Sequence, residues 1–309
     1  YEYMVQDKLE RVAVFDIGSN AIRLVVADLH HHTKKYHIID KVRLPLRMGK
    51  DVFEFGIFTE DTFKKSKNIF KYLLRVAENH HPSIIKAYAT ASFREAKNAD
   101  HLTRYLREKI GLEIEIISGE KEAYLIYLAI NQALDLSQGR SLLMDIGGGS
   151  TEFTLIERGD ILKAVSIPIG ALKLFQAKDL VAYEAIFDQF RNSFSAFFPI
   201  DFFTPFTPKT PCLFVGTGGN LRRMGKLKKP VLGKIDLVEI YKADLIQIYE
   251  TIKGLDPKQL ERKYRLKKDR AEVIHPAMDL ALAVFNQIPV AQMKLPNTGL
   301  ANGILQSML

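Results

Sequence analysis

Leu142-Leu143-Met144-Asp145-Ile146-Gly147-Gly148-Gly149-Ser150-Thr151-Glu152-Phe153 is the stretch on which the fold turns. The apolar lead-in predicts a buried strand, three glycines open the backbone into a turn, and Thr151 to Ile156 predicts a returning strand. The product is a hairpin with an acid at its mouth. Consecutive glycines let main-chain N–H groups approach an anion closely, and Ser150 and Thr151 add hydroxyl donors. Asp145 offers a carboxylate to a divalent cation that neutralises phosphate charge. A tight hairpin in which the glycines serve only positive φ accounts for the same letters. This stretch alone leaves the two readings evenly matched.

A second copy changes the balance. Val12-Ala13-Val14-Phe15-Asp16-Ile17-Gly18-Ser19-Asn20 repeats the apolar strand, the Asp-Ile-Gly turn and a small polar residue. Arg23 to Leu29 repeats the returning strand. Two copies of one strand-turn-strand unit predict two related lobes, each offering an Asp-bearing loop, Asp16 or Asp145, to a shared cleft where a phosphate chain can lie.

The composition agrees. A chain of 309 residues with 47% hydrophobic content can bury a sizeable core, and two domains are the natural count. No uncharged apolar run reaches the ~18 residues of a membrane span, and Tyr1 to Arg11 is charged where a signal peptide is apolar, so the expected location is cytoplasmic, with no membrane partner. Cys212 is the one cysteine, read as a small buried hydrophobe, which leaves redox chemistry and Cys-rich zinc sites unsupported. The net charge of +8 favours a polyanionic partner. Much of the excess lies late, at Arg222-Arg223, Lys226, Lys228-Lys229 and across Arg262 to Arg270. Residue by residue, a solvated face is the ordinary explanation of such runs.

In chain order, strands are expected near 11–17, 22–29 and 35–45. His30-His31-His32 falls in a turn where three adjacent rings point apart, which argues against a metal site. Thr59 to Asn79 has a helical apolar stripe starting at a Thr cap. After a strand at 84–90, Ala91-Ser92-Phe93-Arg94 is expected as a loop whose guanidinium could clamp a phosphoryl oxygen, although a surface ion pair is the commoner fate of a lone arginine. A helix near 99–110 and a strand at 112–117 precede Ser118-Gly119-Glu120-Lys121-Glu122, which opens an apolar helix, Ala123 to Leu134, expected to lie between the lobes. A helix N-terminus holds Glu122 ionised, fit to orient or deprotonate water; a first-turn acid complementing the helix dipole is the plainer reading of the same spacing. In the second half, Val165 to Ile169 is a third strand, 171–197 is helical, and Pro199 to Pro211 is a Phe- and Pro-rich surface connection. Leu213 to Val215 then runs into Gly216-Thr217-Gly218-Gly219-Asn220, a third glycine-rich turn, placed before a helix N-terminus suited to anions. The rest is mainly helical, with a short strand near 291–295 and a last helix from about 299.

Five segments, in order, carry a family resemblance: Val14 to Asn20, Ala89 to Arg94, Ser118 to Ala123, Asp145 to Glu152 and Gly216 to Gly219. They resemble the motifs of the exopolyphosphatase/guanosine pentaphosphate phosphohydrolase (Ppx/GppA) family over nearly the whole chain. The resemblance implies an α/β fold of two duplicated ribonuclease H-like lobes, of the actin and sugar-kinase type, with an interlobe cleft. We set the N-terminal lobe at 1–126 and the C-terminal lobe at 127–309, with the last helix, about 299–309, packing back on the first lobe.

What the resemblance implies about chemistry is hydrolysis of phosphoanhydrides. Glu122 and Arg94 are the catalytic positions. Gly18, Ser19, Asn20, Gly147, Gly148, Gly149, Ser150, Thr151, Gly216, Thr217, Gly218 and Gly219 are expected to bind phosphate, and Asp145, Glu152 and Asp16 to hold Mg²⁺, with Mn²⁺ as the alternative. Inorganic polyphosphate is the leading substrate and guanosine pentaphosphate the runner-up; nucleic acid is not expected, and relatives of this short, two-domain form suggest a homodimer. Two departures stand out. Lys121 replaces one of two consecutive glutamates, and Gly299-Leu300 is followed by Ala301-Asn302-Gly303 where the family often has Arg-Glu-Gly. They motivate a rival, a non-catalytic phosphate or nucleotide sensor of the same fold. An ATP-using kinase or actin-like ATPase shares the two Asp-Gly loops, but Arg222-Arg223 would crowd its adenine pocket.

Overall fold

A computed structural model describes residues 9–203 and 211–309. Residues 1–8 and 204–210, which include most of the charged N-terminal segment and part of the Phe- and Pro-rich connection, lie outside the described residues. The chain divides into two compact units, Tyr1–Ser118 with Leu300–Leu309, and Gly119–Gly299.

The first unit contains β1 (Leu9–Ile17), β2 (Ile22–His30), β3 (Lys35–Leu44), α1 (Met48–Phe55), α2 (Glu60–Glu78), β4 (Ile84–Ala89), α3 (Ala91–Glu95), α4 (Ala99–Ile110) and β5 (Glu115–Ile116). Its sheet runs in the order β3-β2-β1-β4-β5. β1, β2 and β3 form an antiparallel meander, and β4 and β5 add in parallel. Val12 to Ile17 of β1 are all buried, the continuous run of a strand covered on both faces. Ala13, Phe15 and Ile17 join Phe70, Leu73 and Leu102 in one core. Thr59 caps α2 by accepting from the Thr62 N–H at 3.3 Å, and Asp51 accepts from both threonine hydroxyls. Burial pushes the Asp51 carboxyl up, but those hydroxyl donors outweigh it and hold it below the usual range.

The second unit contains α5 (Gly119–Ala133), β6 (Arg140–Ile146), β7 (Thr151–Glu157), β8 (Asp160–Ile167), α6 (Ala171–Phe175), α7 (Leu180–Phe197), β9 (Cys212–Thr217), α8 (Gly218–Leu232), β10 (Glu239–Tyr241), α9 (Lys242–Ile252), α10 (Pro257–Tyr264), α11 (Lys268–Ala271), α12 (Ile274–Phe285) and β11 (Gln292–Lys294). Its sheet order is β10-β11-β9-β6-β7-β8. β6, β7 and β8 repeat the antiparallel meander, and β9 and β11 add in parallel. Omitting β10, the two sheets share one order and one set of directions. The duplicated hairpins therefore sit at equivalent places in two ribonuclease H-like sheets. The final helix, α13 (Leu300–Gln306), packs on β1, β2 and β3 of the first unit, and Asn302 Nδ2 donates to the Tyr36 hydroxyl at 3.0 Å.

Several elements differ from the sequence expectation. The division falls at Ser118–Gly119 rather than 126–127, because α5 is a continuous helix that packs whole on β7 and β8. Ala91 to Arg94 is helical: the Phe93 and Arg94 N–H groups turn back to the Thr90 carbonyl at 3.0 and 3.1 Å. The strand expected at 112–117 shrinks to Glu115–Ile116, its only residues paired with β4. The Gly216 turn is absent; β9 runs to Thr217 and α8 begins at once. α1 and β10 had no sequence signal. No described helix is long and apolar enough to cross a membrane.

Candidate active site

A row of polar side chains crosses the second sheet. Asp145 on β6 lies opposite Glu152 on β7, and Glu152 lies opposite Ser166 on β8. Directly opposed residues share a face, so the three point the same way. Glu152, 2% exposed, accepts at Oε1 from the Ser150 hydroxyl at 2.6 Å and the Ser166 hydroxyl at 2.8 Å. Asp145 Oδ2 accepts from the Thr217 hydroxyl at 2.7 Å. The alternating neighbour, Phe153, points to the other face and meets Phe190, Phe194 and Phe197 of α7 at centroid distances of 6.2, 4.8 and 6.0 Å. The strand period of two thus puts an aromatic core on one side and carboxylates on the other.

Two helix N-termini close on this row. At one end, α5 begins at Gly119, where a Cβ would overlap the Ser166 side chain; glycine lets the helix start press onto the sheet beside Glu152's hydroxyl donor. Glu122 lies in the first turn of that helix and is 7% exposed. The unsatisfied N–H groups of a 15-residue helix carry partial positive charge, which favours its carboxylate. At the other end, α8 begins at Gly218 with φ of +82°, where a Cβ would sit 2.6 Å from Asp145 Oδ1. Only glycine supplies both that conformation and that clearance. Behind it, Asn220 Nδ2 donates to the Ile146 carbonyl at 2.9 Å, and Arg270 Nη1 donates to Asn220 Oδ1 at 3.4 Å. Arg270 is 8% exposed, and its guanidinium lies where a Cβ on Gly219 would be.

The loop between β6 and β7 is built for close approach, since none of Gly147, Gly148 and Gly149 takes positive φ. The Gly147 N–H donates to the Ser150 carbonyl at 2.9 Å. The Gly147 carbonyl accepts from Ala171 N–H at 3.0 Å, and the Gly148 carbonyl from Leu172 and Lys173 N–H at 2.9 and 3.0 Å, so the loop caps α6. A Cβ on Gly170 would lie 2.5 Å from the Gly148 carbonyl carbon.

The equivalent hairpin of the first unit has different electrostatics. Asp16, 4% exposed, lies opposite Arg23, whose Nη1 donates to Asp16 Oδ2 at 2.9 Å. Gly18 N–H donates to the Ala21 carbonyl at 3.1 Å, and the Ser19 carbonyl accepts from Gly49 N–H at 2.8 Å. The Ser19 hydroxyl is buried and has no hydrogen-bond partner among the described residues. Arg94, on α3 at the end of the neighbouring β4, donates from Nη1 to the Ile117 carbonyl at 3.0 Å.

Asp145, Glu152, Gly147 to Thr151, Thr217 to Gly219 and the helix bearing Glu122 therefore converge within the second unit. Asp16, Gly18, Ser19, Asn20 and Arg94 belong to one end of the first sheet. Gly216 stands inside β9, where a Cβ would overlap Met293, and serves packing there. His31 of the histidine run pairs with Glu10 at 2.9 Å. Ser166 and Arg270 were missed from sequence. The first had a signal, a lone hydroxyl in an apolar strand; the second was hidden in a basic run.

Among the described residues no three His, Cys, Asp or Glu side chains gather as a metal cage. A magnesium ion does not need one, since it commonly takes one or two carboxylates and completes its shell with water and phosphate oxygens. Asp145 and Glu152, all-oxygen donors on adjacent strands, fit that requirement.

The profile of the Ppx/GppA phosphatase family matches residues 25–309. This chain belongs to that family. Among its Ppx/GppA relatives of known structure, an exopolyphosphatase from Cytophaga hutchinsonii superposes with a TM-score of 0.83 at 22% identity, covering 97% of each chain. The Aquifex aeolicus PPX-GPPA enzyme superposes with a TM-score of 0.74 at 25% identity, covering 97% of this chain and 99% of that one. By sequence, exopolyphosphatase 1 of Mycobacterium bovis is 31% identical over 169 residues, which are 53% of this chain and 47% of that protein. The chain spans about half the length of the first exopolyphosphatases it matches.

Proposed function

We propose that this chain is a phosphoanhydride hydrolase that releases terminal phosphate from inorganic polyphosphate. The observation that carries the reading is the row Asp145, Glu152 and Ser166, closed by the N-termini of α5 and α8. Glu122, in the first turn of α5, orients a water molecule and accepts its proton as the water attacks the terminal phosphorus in line and the shortened polyphosphate departs. Asp145 and Glu152 would hold a divalent cation, Mg²⁺ or Mn²⁺, which would supply charge neutralisation to phosphate oxygens. The main-chain donors at Gly218 and Gly219 stabilise charge on the phosphate chain, with Arg270 behind them, while the Thr217 hydroxyl donates to Asp145 and fixes its carboxylate. In the loop from Gly147 to Thr151 the Gly148 and Gly149 N–H groups are assigned to the phosphate chain, while the Gly147 N–H and the Ser150 and Thr151 hydroxyls bond within the protein and hold the loop's shape. In the first unit, Gly18, Ser19 and Asn20 are assigned to phosphate contacts and Arg94 to a phosphoryl oxygen. Asp16 acts here through its ion pair with Arg23 rather than as a cation ligand.

The net charge of +8 and the exopolyphosphatase names of the relatives support polyphosphate as substrate. The Aquifex relative's name favours guanosine pentaphosphate as the second reading, since its terminal phosphate needs the same chemistry. Phosphate release from polyphosphate, guanosine pentaphosphate and ATP, measured side by side with added Mg²⁺, tests this. Fastest release from polyphosphate is expected. Fastest release from ATP would favour the kinase-like reading, and binding of polyphosphate without any turnover would favour a sensor.

A further inference from the structure

Resting on that reading, we propose that the exposed basic surface of α10 and α11 binds the body of a long polyphosphate chain while its end is being cleaved. Residues 257–270 hold seven lysines and arginines against two acids, so this short segment carries more than half of the chain's net charge of +8. Some basic side chains elsewhere take acidic partners, as Arg11 does with Asp28, Arg23 with Asp16, Arg140 with Glu157 and Lys294 with Glu239, and among the described residues others stand singly on the surface. Arg262, Lys263, Arg265, Lys267 and Lys268 are all exposed, and among the described residues none of them forms an ion pair. Uncompensated like charges this close repel one another, which disfavours the folded segment unless a polyanion neutralises them.

The segment is also built to hold still. α10 starts with a capping box between Asp256 and Gln259 and with Pro257 in its first turn. Leu260 and Leu266 are buried and anchor it on either side of the turn. The Arg270 and Ala271 N–H groups bond back to the Lys267 carbonyl at 2.8 and 2.9 Å, so Lys267 and Lys268 stand one helical turn from Arg270. Arg270 is the buried guanidinium against Gly219 at the start of α8. The exposed cations Lys267 and Lys268 thus stand one helical turn from the buried guanidinium that backs the proposed phosphate donors. A polyphosphate chain, one negative charge per residue and no side groups, matches such a strip by charge alone. Short substrates end before reaching it, so the strip sets a preference for length.

The test replaces Arg262, Lys263, Lys267 and Lys268 with alanine and compares the result with the parent. A control variant removes the same charge from the first unit, at Lys64, Lys71, Arg75 and Lys109, all exposed. Binding of long polyphosphate and of tripolyphosphate is measured across salt concentrations, together with phosphate release from both and with circular dichroism. The expected result for the strip variant is a loss of long-chain affinity on the order of tenfold at low salt, with a shallower salt dependence. Tripolyphosphate affinity and release stay at parental values, and the control variant matches the parent. An equal loss for both substrates, or the same loss in the control, overturns the strip. So does equal competition by single-stranded RNA for the long-chain site. Absence of phosphate release from the parent overturns the hydrolase reading instead, and the binding arm still decides the strip.

Discussion

The two hairpins, β1–β2 and β6–β7, occupy the same place in two sheets of the same order, yet they treat their aspartates oppositely. Each aspartate is the penultimate residue of its strand and is followed by Ile-Gly. Across the ladder, Asp16 meets Arg23, while Asp145 meets Glu152. An arginine at 2.9 Å neutralises the first carboxylate internally. Two opposed carboxylates repel, and in the second hairpin hydroxyls from Ser150, Ser166 and Thr217 hold them in place without supplying charge. The duplicated unit thus holds an internal salt bridge in one copy and an opposed pair of carboxylates in the other. The identity of a single cross-strand partner separates the two outcomes.

The largest effect expected from this division is at Glu122, which stands beside the second hairpin. Glu122→Gln keeps the side chain's size but removes its basicity, and phosphate release from polyphosphate should fall by ~10²–10⁴-fold with binding retained. Rapid-quench or steady-state assays measure it, and parental turnover would reduce Glu122 to a helix-start acid. Next is Gly218→Ala, which combines a left-handed φ with an overlap on Asp145. It should cost about 1–3 kcal/mol in urea unfolding and weaken polyphosphate binding, since Asp145 and the α8 start must part. Gly219→Ala, at negative φ, meets only the end of the flexible Arg270 side chain and should cost less.

Stability separates the two aspartates. Asp16→Asn leaves Arg23 with a neutral acceptor and is expected to cost about 1–2 kcal/mol in denaturant unfolding. Asp145→Asn, measured without divalent cations, relieves a like-charge pair and should lie within about 0.5 kcal/mol of the parent or above it. Equal losses would erase the distinction. The smallest effect concerns Asp51, whose carboxyl is held below the usual range by the Thr59 and Thr62 hydroxyls against the upward push of burial. A carboxyl lowered in the folded state contributes stability that is complete above its unfolded pKa and lost as pH falls through its folded value. Asp51→Asn should therefore destabilise by about 1 kcal/mol at pH 7 and less as the solution is acidified, checked by urea melts down the acid limb.

The fold was legible where periodicity and duplication speak. β1, β2, α2 and the β6–β7 hairpin lie within a residue or two of their expected bounds, because buried strands and a Thr-capped amphipathic helix leave strong patterns. β5 was overdrawn, since its apolar letters pack without pairing, and α3 was missed because one backward turn from Thr90 needs no periodic signal. Within the site, the glycine loops announced themselves, but their purposes did not. Gly119 clears Ser166, Gly170 clears the Gly148 carbonyl, and Gly216 clears Met293; such close approaches are tertiary facts. Arg270 was illegible for a related reason. Its neighbours Lys267 and Lys268 are exposed cations, and only the packing of α11 turns the third basic residue inward.

The most direct test is a Mg²⁺ titration of polyphosphate hydrolysis in the parent, Asp145→Asn and Asp16→Asn, with Mg²⁺ affinity measured in parallel by calorimetry. The account predicts that Asp145→Asn raises the Mg²⁺ concentration needed for half-maximal phosphate release by at least about tenfold, while Asp16→Asn keeps the parental requirement. A Mg²⁺ requirement unchanged in Asp145→Asn, or shifted equally in both variants, would contradict it.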